Sequence, residues 1–498
     1  MPPAESLNYF KSELFLIGIL ILIIIVSFWR NDPNRRLTLT LIAFSGLLLS
    51  SVPLIQSPGE SVLIFNGLIR WDLFSRFFKI LFLLCGGLTV LILFQAYEVQ
   101  DKLLGEFYGI LLSLVLGMFL LVSSFNLLMI YLSLEFVSIT SYVLTGFNRN
   151  DRRSSEAALK YVIYGGVVSG IMLFGISYFF GLFGTLDLSG IREGMGALFS
   201  GSPAAGRPAV QATRLTVLAA SVFVFAGFGY KMAAVPFHMW CPDVYEGAPT
   251  PFTAFLSIGP KIAGVAAFCR FLSTGFFENP VHFKAITEIP WAAILGILAA
   301  GGMTLGNLSA ISQRNVKRLL AYSGVAHCGY ILMGLCALSK EGFSAFYFYA
   351  VVYLFMNLGA FIIVIAVRER TGRETIEAFR GLGTREPFMA VSFAIFLFSL
   401  VGIPPLAGFI GKFYLFAAVL RQAGTGYYLL AVVGILNSVI SLYYYTGIIK
   451  AMFLEKAAED QPLQIPRFQK LITAFLLIPV LLFGIYWEPL ASVTSFLF

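Results

Sequence analysis

The chain has 498 residues, of which 58% are hydrophobic and only 12% are charged. Soluble domains carry about 25% charged residues, so this composition and a mean hydropathy of +0.85 exclude a soluble globular protein. The net charge of +8 does not indicate a nucleic-acid partner, because the basic residues concentrate in alternate loops between apolar segments.

Runs of about twenty apolar residues recur along the whole sequence, and each is long enough to cross a bilayer as a helix. About fourteen membrane helices are therefore predicted. They cover 14–29, 37–55, 73–95, 107–124, 126–147, 156–184, 214–243, 251–273, 290–311, 318–337, 343–367, 387–421, 427–450 and 468–487. No small-residue cleavage site follows the first run, so it is interpreted as a membrane helix and not as a signal peptide. The predicted fold class is an all-α polytopic membrane protein.

Lysine and arginine are more frequent in every second loop. For example, Arg152 and Arg153 precede the sixth predicted helix, and Arg314, Lys317 and Arg318 lie at the start of the tenth. The positive-inside rule therefore predicts that these loops are inside and that the N-terminus is outside. An even number of helices then returns the C-terminus to the outside.

One short phrase occurs twice inside membrane-length segments. Residues 226–231 read AGFGYK and residues 407–412 read AGFIGK, so each copy ends in a lysine. Each lysine lies close to proline, Pro236 in the first copy and Pro404 and Pro405 in the second. A lysine at membrane depth costs about 3 kcal/mol on insertion scales, so two of them in matching contexts indicate a duplicated ion or proton site.

A second pair of matching positions supports an internal duplication. Glu135 follows the leucine pair 127–128, and His327 follows the leucine pair 319–320 at the same spacing. Helices four to eight and nine to thirteen then form two five-helix repeats, and the odd number per repeat turns the second one upside down in the membrane. The alternative is chance similarity between apolar segments. The predicted units are N-terminal helices in 1–106, inverted repeats in 107–273 and 290–453, and a C-terminal helix in 454–498.

The prolines predict breaks in the seventh and twelfth helices. Proline lacks an N–H and clashes with the carbonyl four residues earlier. Pro236 is expected to free the carbonyl of Met232, and the pair 404–405 is expected to free those of Leu400 and Val401. Unpaired carbonyls are costly in lipid, so we expect them to face protein or water.

Glu135 and Lys231 are the first candidates for proton transfer. Glu135 lies near the middle of the fifth predicted helix, where its neighbours in sequence offer it no charge. A carboxylate close to a buried lysine stabilises the lysine's proton, and a carboxylate drawn away lets that proton leave. A movable pair of this kind is a proton switch. The alternative is a Glu135 carboxyl that is protonated or hydrogen-bonded to a neighbouring serine.

Further titratable residues fall within or beside predicted membrane helices. Lys261 is interpreted as a relay, and Lys412 as a gate to one side of the membrane. Lys160, about one turn inside the sixth helix, either takes part in transfer or reaches to the membrane surface. His238 and His327 are proton carriers or hydrogen-bonded structural residues. Three other cations are expected to be interfacial or paired structural charges: Arg76, Lys79 and Arg270.

The sequence has no recognised motif for a redox cofactor, a nucleotide or a metal. Its five cysteines form no CxxC pair, and neither GxGxxG nor a P-loop occurs. Three dispersed histidines do not favour a metal site. We therefore expect no cofactor in this chain, and we expect partners to supply any redox chemistry.

Three segments carry a resemblance to a known family. Residues 231–251 run from the first buried lysine to Pro251, residues 313–323 read QRNVKRLLAYS, and residues 402–409 read GIPPLAGF. Together they resemble the antiporter-like subunits of proton-pumping NADH:quinone oxidoreductase, or respiratory complex I. The run VYEGAP at 244–249 is similar to the N branch of that family rather than to its L and M branches.

The resemblance implies a fourteen-helix, inverted-repeat subunit of a bacterial inner (plasma) membrane, with both termini on the periplasmic side. It implies that Glu135, Lys231, Lys261 and Lys412 are the family's glutamate of the fifth helix and lysines of the seventh, eighth and twelfth helices. It also implies other membrane-arm subunits as partners, with NADH, FMN, iron–sulfur clusters and quinone bound on partner subunits.

Three functions remain open from the sequence. The first is proton translocation within an NADH:quinone oxidoreductase, through a chain of Glu and Lys residues at the membrane midplane and driven by redox chemistry in partner subunits. The second is a subunit of a multisubunit Na⁺/H⁺ antiporter, which would share the fold and the lysines. The third is a scaffold that pumps nothing, against which the buried charges argue. The VYEGAP run favours the first over the second.

Overall fold

A computed structural model of the chain describes residues 1–29, 34–56, 60–200, 208–277, 289–457 and 461–497. Over these residues the ordered structure is helical, apart from one small antiparallel sheet of β1 (Val62–Ile64) and β2 (Ile69–Trp71), in which Leu63 pairs with Arg70. In this part of the chain, 13 helices are long and apolar enough to cross a membrane, by length and composition. The predicted all-α polytopic fold is therefore confirmed.

The helices follow one another in three groups. The N-terminal part contains α1 (Pro3–Ser6), α2 (Lys11–Trp29), α3 (Arg35–Gln56) and α4 (Leu73–Gln95). The first half contains α5 (Leu104–Ser123), α6 (Leu127–Thr145), α7 (Arg152–Phe183), α8 (Leu188–Ser200), α9 (Pro208–Met232), α10 (Trp240–Gly247), α11 (Thr250–Leu256) and α12 (Gly259–Gly275). The second half and the C-terminal part contain α13 (Trp291–Ile311), α14 (Val316–Cys336), α15 (Lys340–Thr371), α16 (Leu382–Arg385), α17 (Pro387–Val401), α18 (Ala407–Leu420), α19 (Thr425–Leu454), α20 (Arg467–Ile485) and α21 (Glu488–Ser495). Short 3-10 turns lie at Phe65–Gly67, Asp101–Leu103 and Ile376–Phe379.

Helices are interrupted at the predicted prolines and at one further position. The seventh predicted helix consists of α9 and α10, and the twelfth consists of α17 and α18. The eighth, expected to be continuous, is also interrupted, at Ser257 and Ile258 between α11 and α12. Pro260 explains this difference, because it lacks the N–H that would bond the carbonyl of Leu256. Asn357 on α15 reaches this break, where its Nδ2 donates to Ser257 Oγ (2.7 Å).

The two halves begin their central helices in the same way. Asn126 caps α6 and Asn315 caps α14, and each side chain accepts from the backbone N–H two residues later. Each cap also pairs through its backbone with the loop after the following helix, at Asp187 in the first half and at Thr375 in the second. These matched contacts support an internal duplication.

The caps change one expected correspondence between the halves. Counted from Asn126 and Asn315, Glu135 matches Gly324, whereas Ser138 matches His327. The expectation that His327 occupies the Glu135 position is therefore wrong by about one helical turn. Leucine pairs recur too often in apolar helices to fix a register, whereas a capping side chain bonds at one position only.

Interior and peripheral helices differ in burial. The helices α11, α12, α14 and α15 are buried along most of their lengths, whereas α2, α7, α19 and α20 leave long apolar faces exposed. Apolar helix faces of this size belong in lipid or against another membrane subunit. The interior helices carry Lys261 and His327, so the protein shields these side chains from lipid.

Candidate functional site

The break in the seventh helix places Lys231 in the interior. The helix α9 ends at Met232, as Pro236 predicts, and Ala233 adopts a left-handed backbone conformation with φ of 57°. Trp240 then donates from its indole nitrogen to the carbonyl of Tyr230 (3.0 Å). The broken turn is thus satisfied by protein, as membrane depth requires.

Lys231 and Glu135 each bond a different serine. The Lys231 side chain is 1% exposed, and its Nζ donates to Ser138 Oγ (3.2 Å). Ser138 lies one turn beyond Glu135 on α6, and the Glu135 carboxylate accepts a hydrogen bond from Ser169 on α7. Within the described part of the chain, no ion pair joins Lys231 directly to Glu135. The structure therefore has the alternative arrangement, in which a serine bonds the Glu135 carboxyl, and the movable Glu135–Lys231 pair stays a prediction.

Lys261 lies beside Lys231 on the next interior helix. Gly264, one turn beyond Lys261 on α12, faces the stem of Lys231, and a Cβ added there would be 3.2 Å from Lys231 Cβ. The Lys261 Nζ lies 5.0 Å from the ring centre of Tyr245. It is buried, and among the described residues it has no hydrogen-bond partner. A Cβ added at Gly324 of α14 would be 2.7 Å from this nitrogen.

His327 continues the series of titratable groups on α14. It is one turn beyond Gly324, and its Nδ1 contacts the Tyr349 hydroxyl at 2.6 Å. Its ring centre is 5.2 Å from that of Tyr353 and 6.1 Å from that of Tyr330. His327 also interacts electrostatically with the lysines on either side of it, at positions 261 and 412. It therefore lies between the two.

Lys412 itself bonds a free carbonyl at the break in the twelfth helix. The helix α17 ends at Val401, and Gly402 follows in a left-handed conformation with φ of 92°. The Val401 carbonyl, which Pro405 was expected to free, accepts from Lys412 Nζ (2.8 Å). The same nitrogen lies 4.1 Å from the ring centre of Tyr330, and its side chain is 4% exposed. A series of polar side chains, all buried except the half-buried Glu135, thus lies in the interior, and we call it the polar file. Its members are Glu135, Ser138, Lys231, Lys261, His327, Tyr330 and Lys412.

The remaining two sequence candidates lie off this file. His238 is buried in the break between α9 and α10 and interacts electrostatically with Lys261. The side chain of Lys160 is 39% exposed and forms ion pairs with Glu156 (2.8 Å) and Asp243 (2.8 Å). The structure therefore keeps Lys160 at a charged surface and does not bring it to the buried lysines.

Sequence reasoning missed a buried charge cluster at the face that carries the basic loops, which the sequence predicts to be inside. Lys317, with no exposed side-chain surface, pairs with Glu374 Oε1 (3.1 Å) and donates to the carbonyl of Ala248 (2.9 Å). Arg368 bonds the same Glu374 (2.8 Å) and also pairs with Glu98. Burial alone would raise the pKa of Glu374, but Lys317 and Arg368 outweigh it and hold that pKa below its usual value. We call these four charged residues the inside-face cluster.

A neighbouring contact explains two of the sequence motifs. Arg318, next to Lys317, pairs with Asp243 (2.6 Å) and Glu246 (2.8 Å). These ion pairs therefore join segment 313–323 to segment 231–251 at the face that carries the basic loops. The signal was available in the sequence, because the charges of 313–323 are all basic whereas 231–251 contains Asp243 and Glu246.

Two of the three cations expected to be interfacial or structural form ion pairs, and Arg76 donates to the carbonyl of Leu54 (2.9 Å). Lys79 and Glu13 form an ion pair (2.6 Å) with both side chains 1% exposed. Arg270 holds Asp72 with two hydrogen bonds of 2.8 and 2.9 Å. The sequence analysis did not identify Glu13 as a partner, because it stands at the edge of the first apolar run.

Metal-ligating side chains do not cluster. Over the residues that the structure describes, no group of three or more His, Cys, Asp or Glu residues is arranged to hold a metal ion. The five cysteines are buried and unbridged.

A family model described as NADH:quinone oxidoreductase/Mrp antiporter, TM, matches residues 124–441. The chain belongs to this family. It is 48% identical over 503 residues to NADH-quinone oxidoreductase subunit N from an Anaeromyxobacter species, with 99% of this chain and 96% of that protein covered. The family resemblance found in the sequence is confirmed.

Solved structures of this family share the fold over nearly the whole chain. A chain of respiratory complex I from Thermus thermophilus with bound aureothin superposes with a TM-score of 0.78 and 29% identity, covering 97% of this chain and 99% of that one. A chain of the Mrp complex from a Dietzia species superposes with a TM-score of 0.81, covering 98% and 96%, but is only 19% identical. The second likeness shows the fold alone.

Proposed function

We propose that this chain is a proton-translocating membrane-arm subunit of an NADH:quinone oxidoreductase, in which redox chemistry in partner subunits drives H⁺ through the polar file. The observation that carries the proposal is the burial of Lys231, Lys261, His327 and Lys412 beside interrupted helices, with the half-buried Glu135 close to the first of them. Buried ionisable groups are expensive inside a membrane and mark ion or proton pathways.

The polar file supplies a physical means of moving protons. Ser138 accepts from Lys231 Nζ and donates to the carbonyl of Leu134, so its hydroxyl gives the lysine an uncharged hydrogen-bond partner. Charges in a poorly solvated interior interact strongly, so a proton gained at one lysine disfavours a proton on the next. Moving one charge through about 100 mV costs about 2.3 kcal/mol, which interactions of this kind can supply.

The residue roles follow from position in the file. Glu135 controls whether Lys231 keeps its proton, Lys261 relays between the halves, and Lys412 exchanges with one side of the membrane. His327 carries or orients a proton between Lys261 and Lys412. We also propose His238 as a support for Lys261, and Lys160 as a surface group near the inside entrance.

The domain organisation is proposed on the matched caps and breaks. N-terminal helices lie in 1–106, inverted repeats in 107–273 and 290–453, and the last helix in 454–498. Lys231 and Lys412 end matching phrases beside breaks in corresponding helices. Two oppositely oriented repeats meeting at a midplane site are typical of alternating-access transporters.

The surroundings of the chain are proposed from its relatives and its charges. We infer a bacterial inner (plasma) membrane, with both termini on the periplasmic side, from the asymmetry of basic residues. We infer that other membrane-arm subunits cover its exposed apolar faces, and that NADH, FMN, iron–sulfur clusters and quinone bind those partners.

The second candidate is a subunit of a multisubunit Na⁺/H⁺ antiporter, favoured only by the shared fold. The two are separated by purifying the tagged native chain, identifying co-purifying proteins by mass spectrometry, and reconstituting the complex in liposomes. We expect quinone-reductase partners and NADH-dependent H⁺ uptake without Na⁺. Antiporter partners with Na⁺-driven H⁺ exchange and no response to NADH would support the second candidate instead.

A further inference from the structure

An apolar groove runs between the N-terminal part and the C-terminal part of the chain. The helix α4 forms its floor and packs against both α3 and α20, which form its walls. The groove has a volume of about 470 Å³, and its lining includes Leu47, Leu84 and Ile472. Among the described residues that line it, only Ser51 is polar, and its hydroxyl donates to the carbonyl of Leu48 (2.6 Å). The groove therefore suits hydrocarbon.

The groove has the depth of one leaflet. It follows α4 from Ile80 to Leu91, which is about 17 Å at 1.5 Å per residue. This is close to half of a hydrocarbon core of about 30 Å. Leu91 lies one turn from the end of α4, and Phe468 of the groove lies in the first turn of α20. Both ends are at the face that carries the basic loops, so the groove lies in the leaflet at that face.

The cross-section of the groove decides what can occupy it. The exposed side chains of Leu48, Leu471 and Phe475 border it, so it is open to the surrounding lipid. A volume of about 470 Å³ over about 17 Å leaves a cross-section of about 28 Å². A helix with its side chains is about 10–12 Å across and needs about 80 Å² or more. The groove therefore accepts an extended hydrocarbon chain and is too narrow for a helix of a partner subunit.

A cation stands at the membrane-surface end of the groove. Arg467 begins α20 and lies one turn before Leu471 of the groove wall, so the two share a helix face. Arg467 is exposed, and in the part of the chain that the structure describes it forms no ion pair. Lys470, the other cation of this turn, pairs with Glu386 (2.7 Å). The guanidinium of Arg467 is thus available to a phosphate group.

The surroundings of this end leave the charge of Arg467 unbalanced. The rings of Phe94 and Phe468 meet edge-on, with their centres 5.8 Å apart. Three residues beyond Phe94, the N–H of Tyr97 donates to the carboxylate of Glu369 (2.6 Å). This carboxylate is therefore already partnered, and an anion from the membrane can complement the arginine.

We propose that an anionic phospholipid binds here, with one acyl chain in the groove and its phosphate on Arg467. The inference goes beyond the proposed function and does not depend on it. Burial of the chain and attraction of the headgroup act at opposite ends of one molecule, so together they hold it against exchange with other lipids. The bound chain fills the space between α3 and α20 and fastens the two ends of the protein to each other.

Photolabelling of the intact complex tests the site. The complex is placed in lipid nanodiscs that contain a little phosphatidylglycerol with a diazirine in its acyl chain, and a parallel sample contains phosphatidylcholine with the same chain. Labelled peptides are quantified by mass spectrometry after illumination. We expect segment 80–91 of α4 to be labelled about fivefold more by the anionic lipid, the effect of one cation near an anionic headgroup. The exposed face of α19 is the internal reference and should be labelled equally by both.

Variants separate the two ends of the site. Arg467→Gln should remove the preference for the anionic lipid. Lys450→Gln is the matched control, because Lys450 is also an exposed cation near the end of a peripheral helix at the same face, and it should keep the preference. Gly87→Leu fills the middle of the groove, where a Cβ would lie in ordinary contact with Phe44 (3.5 Å), and should prevent labelling of α4 by either lipid. If Gly87→Leu does not assemble, the exposed Arg467→Gln decides alone.

Three outcomes would overturn the inference. They are equal labelling of α4 by the two lipids, a preference that Arg467→Gln leaves unchanged, and no labelling of α4 by either lipid in the wild type, as when a partner subunit covers the groove. Each leaves the proton-translocation proposal standing, because the groove lies outside the polar file.

Discussion

Two glycines determine where the buried lysines can lie. Gly264 allows the stem of Lys231 to pack against α12, and Gly324 leaves room for the ammonium of Lys261. Gly324 occupies the position that corresponds to Glu135 in the other half. The duplicated position thus holds a carboxylate in one half and accepts a neighbouring lysine in the other, so the halves match in backbone and differ in charge.

Gly324→Ala tests whether Lys261 needs the room that this glycine leaves. The added methyl would stand 2.7 Å from Lys261 Nζ, so the end of the lysine side chain must shift within the polar file. We expect NADH-driven proton pumping by the assembled complex to fall by about tenfold. Gly170→Ala on α7 is the control, since nothing lies within 4 Å of its added Cβ, and it should pump normally. Equal pumping by the two variants would refute the role given to Gly324.

At the scale of helices, each lysine of the polar file lies beside an interruption. Lys231 precedes the break in the seventh helix, Lys261 follows the break in the eighth, and Lys412 bonds a carbonyl at the break in the twelfth. An interrupted helix exposes backbone groups that a charged side chain or water can satisfy. A regular helix offers no such partner at membrane depth.

Close packing of α13 against α14 holds the second half of the file. A Cβ added at Gly306 would be 2.6 Å from the backbone nitrogen of Ala326. Gly306→Ala should therefore force the helices apart and destabilise the assembled protein by about 1–3 kcal/mol, measured as a lower midpoint of thermal unfolding in detergent. Gly301→Ala on the same helix is the comparison, because its Cβ would be 3.6 Å from the nearest atom, on Val235. The prediction is wrong if both variants unfold at the same temperature.

Helices and two of the three breaks could be predicted because their signals are local. Apolar length defines a membrane helix, and Pro236 and the pair 404–405 act within one turn. Pro260 indicates a break in the eighth helix in the same way, but the eighth helix was expected to be continuous. The expected match between Glu135 and His327 was wrong because it was based on leucine pairs. The hydrogen bonds of the caps at Asn126 and Asn315, which give the correct match, are seen only in the folded structure.

Most residues of the candidate site could be predicted from the sequence, but the contacts that connect them could not. A lysine in an apolar segment stands out, so the buried lysines were found. Ser138 and Tyr330 connect the file through three-dimensional contacts, and no sequence spacing reveals them. Lys317 and Glu374 are likewise far apart in sequence, so their pairing depends on how the loops meet.

At the scale of the molecule, the inside-face cluster joins three parts of the chain. Glu98 belongs to the N-terminal part, Ala248 to the turn between the seventh and eighth helices, and Lys317 and Glu374 to the second half. The carbonyl of Ala248 accepts from Lys317, so the turn between Lys231 and Lys261 is tied to the second half. The two halves are therefore in direct contact at this face.

Glu374→Gln should show how the stability contributed by the inside-face cluster depends on pH. Because the pKa of Glu374 is lowered in the folded protein, its contribution to stability is complete above the ordinary glutamate pKa of about 4.3 and is lost as the pH falls through the lowered value. At pH of about 7 the variant should be less stable by about 1–3 kcal/mol. Thermal unfolding of the detergent-solubilised protein measures this difference.

The same series of unfolding measurements, continued downward from a pH of about 5, provides the check. The difference between the wild type and Glu374→Gln should narrow as Glu374 takes up its proton. A difference that stays constant across this range would mean that the carboxylate charge does not support the cluster.

The most direct test of the polar file is the number of protons moved per NADH oxidised by vesicles that carry Glu135→Gln or Lys231→Met in the assembled complex. We predict that NADH-driven pumping falls by about tenfold in both. Arg380→Met, which removes only an exposed ion pair with Glu455 (2.7 Å) at the inside face, should pump as the wild type does. Normal rates and normal proton yield in the first two variants would contradict a proton path through these residues.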